Sequence, residues 1–108
     1  MKNDKVYIDQ ILDSINKIEL FVVEISKDNF FTNSLVQSAV IMQLTLIGEV
    51  SKKISADLKE KTKSPWKEIA GFRDKAIHDY FDINLDVVWN TISEDLPPLK
   101  EELQKIKF

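Results

Sequence analysis

The chain contains no cysteine, one histidine and one arginine in 108 residues. Without cysteine there can be no disulfide framework and no thiolate metal site. With a single imidazole, a transition-metal site within one chain would need unusual carboxylate ligands, so neither metal nor cofactor is expected. Two glycines and three prolines leave few chain breakers, which favours long helices over a sheet of many turns. No apolar run long enough to span a membrane stands out. Met1-Lys2-Asn3-Asp4-Lys5 leads into an amphipathic pattern without the apolar core of a signal peptide, so a cytoplasmic protein without membrane association is expected. The length fits one domain, residues 1–108, with no room for a second core.

What the chain does contain is patterned. The net charge of −3 argues against a protein that coats nucleic acid indiscriminately. The charge is uneven, however. Lys52 to Lys75 carries eight Lys/Arg against four Asp/Glu, and Ala76 to the end carries three against seven. That basic stretch is either a local phosphate-binding patch or a solvated helix face.

Ile8, Ile11, Ile15, Ile18, Val22 and Ile25 alternate spacings of three and four, which predicts a helix from about Tyr7 to Ser26. Leu12, Leu20, Phe21 and Val23 widen its apolar face. A break and new cap are expected at Asp28-Asn29, with Phe30 and Phe31 pinning the connection. A second helix is predicted from about Ser34 to about Ile54. It is apolar over most of its circumference, so it is central in a bundle or covered by a second chain. Gly48 within it points to a close helix crossing. Ala56 to Lys63 reads as a frayed end and loop. Ser64-Pro65-Trp66 reads as a cap with proline at the first helical position, opening a third helix that ends between His78 and Phe81. Asn84 caps a fourth, Pro97-Pro98 breaks or kinks it, and Leu99, Leu103 and Ile106 form a last amphipathic turn. The expected fold is all-α, an up-and-down bundle of four or five helices.

The only arginine and the only histidine lie five positions apart in Gly71-Phe72-Arg73-Asp74-Lys75-Ala76-Ile77-His78-Asp79-Tyr80-Phe81. A guanidinium can grip and neutralise a phosphate, and an imidazole can move a proton near neutral pH. On one helix, Asp74 would sit a turn before His78 and hold its ring. Arg73 and His78 would lie roughly 140° apart on that helix, so they converge only if the helix end unwinds or a second copy completes the site. RNA cleavage by the 2′-hydroxyl needs both a base and an acid, and one histidine per chain supplies one of them. A twofold dimer supplies both. The same residues also fit a structural account, with His78 a cation at a helix C-terminus and Arg73 in a surface ion pair.

Beyond this segment, Val6-Tyr7-Ile8-Asp9-Gln10-Ile11-Leu12, Leu44-Thr45-Leu46-Ile47-Gly48-Glu49, Pro65-Trp66-Lys67-Glu68-Ile69-Ala70-Gly71, Val88-Trp89 and Asp95-Leu96-Pro97-Pro98-Leu99 carry a resemblance. Over essentially its whole length the chain resembles HEPN-domain proteins of the HepT-like toxin family, including their signature at Arg73, Asp74, His78 and Tyr80. The polar residue after the arginine is often asparagine in that family and is aspartate here. The resemblance implies a homodimeric, metal-independent endoribonuclease with Arg73 and His78 in its cleft. It implies a cognate minimal nucleotidyltransferase as antitoxin, which modifies the tyrosine matched by Tyr80 with AMP. Trp66, Lys67 and Lys75 are candidate RNA contacts. The rival expectation is a non-catalytic HEPN subunit that serves as partner and modification substrate of such a nucleotidyltransferase. A second is a purely structural helical dimer.

Overall fold

A computed structural model describes residues 3–72, the backbone of 77–79, and 82–108. Helix α1 runs Asp4–Val22, α2 Lys27–Phe31, α3 Ser34–Ser51, α4 Ala56–Lys61 and α5 Trp66–Ala70. Two short strands follow, β1 at Ile77–Asp79 and β2 at Asp82–Ile83, and then α6 at Leu85–Asn90. A π-helical turn, Thr91–Asp95, joins α6 to α7 at Leu96–Gln104. The fold is all-α apart from the antiparallel pair, whose register sets Ile77 opposite Ile83 and Asp79 opposite Asp82.

The three-and-four spacing of α1 makes one stripe of Ile8, Ile11, Ile15 and Ile18, each at most 1% exposed. That stripe packs on α3 through Val40, Leu44 and Ile47. The two helices are antiparallel: α2 joins the end of α1 to the start of α3, while Asp4 at the start of α1 bonds Ser55 just past the end of α3. Leu96, Leu99 and Leu103 of α7 close the core against α1. On that contact Lys100 Nζ donates to Glu19 Oε1 at 2.6 Å. Leu20 and Val23 do not widen the α1 core face as expected. They are 71% and 75% exposed: Leu20 lies about 200° around the helix from Ile18, on the far face, and Val23 falls just past the end of α1 at Val22.

Caps explain the junctions. Ser26, not Asp28-Asn29, caps α2, its Oγ accepting from the Asn29 N–H at 3.1 Å. Phe30 is fully buried and lies 5.2 Å, ring centre to ring centre, from Trp89. Asn33 caps α3 through the Val36 N–H, and Asn84 caps α6 through the Val87 N–H. Gly48 brings α3 against α5 as its position suggested: a Cβ there would stand 3.2 Å from the Ile69 carbonyl oxygen.

Further expectations need correction. The expected loop at Ala56–Lys63 contains α4, capped by Ser55 and stabilised by Asp57 in its first turn. The third helix does not continue to His78, since α5 ends at Ala70 and the backbone at 77–79 is extended. Ser64 caps nothing with its side chain; helix α5 starts one residue after Pro65. The prolines do not themselves break the helix that Asn84 caps, which ends at Asn90. They fall in the first turn of α7, where a missing N–H is tolerated, directly after the π turn has shifted the hydrogen-bond register. By length and mean hydropathy, 1.3 over 18 residues, α3 does reach the size of a membrane span. Packing against α1 and α5 accounts for only part of that apolar character, because 28% of the helix is buried.

Candidate functional site

The chain brackets the Arg73–Tyr80 segment with two fixed points. Upstream, Gly71 closes α5, its N–H donating to the Lys67 carbonyl at 3.0 Å, and Phe72 is buried in the core. Downstream, the strand pair holds the backbone of Ile77–Asp79 against Asp82–Ile83, and Asn84 then caps α6. His78 is the central residue of β1. Arg73, Asp74, Lys75 and Tyr80 lie outside the described residues. His78 itself sits on extended backbone, not on a helix that could carry Asp74 one turn before it. A strand repeats every two residues rather than every 3.6.

The candidate RNA contacts separate. Lys67 is exposed in the first turn of α5. Trp66 beside it is buried at 8% exposure, and its indole N–H donates to Thr62 Oγ1 at 2.7 Å. This indole is a wall of the core with its polar edge satisfied, not a surface on which a base can stack. A tryptophan after Ser-Pro gives no sequence signal that separates those two roles.

The basic stretch also divides. Lys52 pairs with Glu49 at 3.3 Å, and Lys53 lies 5.8 Å from the centre of the Tyr7 ring. Lys61, Lys63 and Lys67 are exposed and, among the described residues, form no ion pair. Free ammonium groups on a fixed scaffold are what a polyanion requires. Among the described residues, no three histidine or acidic side chains converge as metal ligands.

Residues 11–106 match the family described as ribonuclease HepT-like. A Methanocaldococcus jannaschii protein described as "Gamma-glutamylcyclotransferase and putative RNase" is 41% identical over 106 residues, which is 97% of this chain and 48% of that protein. The chain thus spans about half the length of that relative. A Thermococcus cleftensis protein described as "Probable ribonuclease HepT" is 40% identical, over 98% of this chain and 97% of its own length. One from Caldanaerobacter subterraneus subsp. tengcongensis, described as "Putative RNase", is 36% identical over 98% of this chain and 96% of its own. No solved structure matches the chain. With nearly its whole length covered by the family match, and by two relatives of its own size, the chain belongs to the ribonuclease HepT-like family.

Proposed function

We propose that this protein is a metal-independent endoribonuclease, the toxin of a two-component system, and that it cleaves RNA as a homodimer through Arg73 and His78. The observation that carries the proposal is the family match combined with the signature. The chain has one guanidinium and one imidazole, and both fall in the segment that Phe72 and the strand pair bracket. In the reaction the 2′-oxygen bonds to phosphorus and the bond to the 5′-oxygen breaks. A neutral imidazole takes the 2′-proton, and a protonated one gives a proton to the leaving oxygen. The arginines stabilise the extra negative charge on phosphorus. Two histidines are required, and two chains supply them.

Helix α3 supports the second copy. Leu35, Met42 and Leu46 are 78%, 58% and 42% exposed, and they fall within about 40° of one another around the helix. An apolar seam of this kind marks an interaction surface. Tyr80 is the proposed site of AMP transfer by a cognate minimal nucleotidyltransferase. A phosphate and nucleoside beside Arg73 would exclude RNA by bulk and repulsion. RNA cleavage by purified protein, set beside Arg73→Ala and His78→Ala, tests the assignment. Loss of cleavage in both variants is expected, and equal cleavage by all three proteins would end it.

A second reading takes its support from Asp74, which places a carboxylate next to the arginine that must hold phosphate. In this reading the chain is a non-catalytic subunit, bound and modified by the nucleotidyltransferase. AMP transfer to Tyr80 without RNA cleavage or toxicity would favour it.

A further inference from the structure

A cavity of about 380 Å3 opens between α3, the chain leading into α5, and the π turn with α7. Its size is within the ~300–1,000 Å3 range of small-molecule sites. Ile47, Ile69, Phe72, Leu96 and Leu99 give it apolar walls. Among the described residues, Glu68, Glu94, Asp95 and Glu102 also line it, against a single Lys63. Among the described residues none of these four carboxylates forms an ion pair. The Oγ of Ser64, on the same wall, is buried and has no hydrogen-bond partner. Two of the four acids belong to the π turn, a distortion found frequently at functional sites.

An apolar hollow rimmed by carboxylates that pair with none of the described residues favours one kind of molecule. Glu68, Glu94 and Asp95 are exposed and Glu102 is half-buried, so they form a hydrated acidic rim that repels an anion and attracts a cation. The apolar wall behind that rim holds the body of such a cation, and the nearby carboxylates attract its charge. We infer that this cavity is a binding site for a small organic cation, with an aliphatic or aromatic body in the hollow and an ammonium group at the acidic rim beside Ser64. The inference does not rest on the proposed RNA chemistry.

Three probes of one shape isolate the claim: 4-phenylbutylamine, 4-phenylbutanol and 4-phenylbutanoate. Each is titrated into the full chain and followed by calorimetry and amide NMR shifts. The amine should bind with shifts centred on Ile69, Phe72 and Glu102, about tenfold tighter than the alcohol, and the carboxylate should bind least. The doubly neutralised Glu94→Gln, Glu102→Gln variant should lose about tenfold in amine affinity and keep its alcohol affinity. Equal binding by the three probes, no binding by the amine, or shifts centred elsewhere would overturn the inference. The ranking on the unaltered chain decides the matter even if the variant folds poorly.

Discussion

Asp4 is a carboxylate that the fold has buried, at 2% exposure, and it joins the two ends of the α1–α3 pair. Its Oδ1 accepts the Ser55 N–H at 2.9 Å and its Oδ2 accepts the Ser55 hydroxyl at 2.5 Å. The same hydroxyl oxygen accepts the Leu58 N–H and so caps α4. Burial pushes the Asp4 carboxyl upward; the hydrogen bonds it accepts and a neighbouring positive charge outweigh that and hold it at about 2, below the usual 3.8. A depressed folded-state value means stabilisation that is present above the unfolded value and lost as pH falls through the folded one. Acid unfolding should therefore include an Asp4 component between pH 3.8 and about 2. Asp4→Ala should remove that component and cost about 1–3 kcal/mol near neutral pH by leaving the Ser55 N–H unpaired. Chemical denaturation of both proteins across that pH range measures the two effects together. Gly48 makes the opposite kind of demand. Gly→Ala in an exposed helix normally gains up to about 1 kcal/mol. Here the added methyl meets the backbone oxygen of Ile69 at 3.2 Å, so Gly48→Ala should show no gain in thermal midpoint, and Gly48→Leu should be clearly destabilised.

Among the elements, those with a periodic apolar stripe were legible from the sequence, and those fixed by single hydrogen bonds were less so. Four isoleucines spaced three and four apart placed α1 on the core, and Asn84 announced α6 by its capping chemistry. Helix α4 was masked by its lysines: without an apolar stripe, only Ser55 followed by Asp57 marked it. At the site, Ile69, Phe72, Ala76 and Ile77 imitate a helical face, yet α5 closes after five residues and Ile77 faces Ile83 across a strand pair. That pairing joins residues only three to six positions apart, in runs too short for any period to show. The π turn was hidden for the same reason, although Pro97-Pro98 marked the place where ordinary helical bonding had to change. Asn84 carries the prediction for this scale, because it fixes the downstream end of the segment that holds Arg73 and His78. Asn84→Ala should lower stability by about 1 kcal/mol through loss of the cap on α6, whereas Asn84→Asp should retain it. Thermal unfolding separates these outcomes, and equal loss in both variants would show that the side-chain oxygen is not the operative group.

For the whole molecule, the question is what covers α3. Its buried side meets α1 and α5, and its other side leaves Leu35, Met42 and Leu46 in water. The cost of that exposure is removed if a second copy brings its own α3 against the first, and one imidazole per chain then becomes two per particle. Met42→Lys and Leu46→Lys place ammonium groups in the middle of the seam, while both positions are already exposed in the single chain. The folded chain should tolerate them, and the association should not. Sedimentation velocity should find the native protein dimeric and the double variant monomeric, with far-ultraviolet dichroism unchanged. RNA cleavage should fall with the dimer, although Arg73 and His78 are untouched. A monomeric native protein that cleaves RNA in simple proportion to its concentration would defeat the paired-site reading. So would a double variant that loses the dimer and keeps full activity, since neither outcome leaves a task for the second histidine.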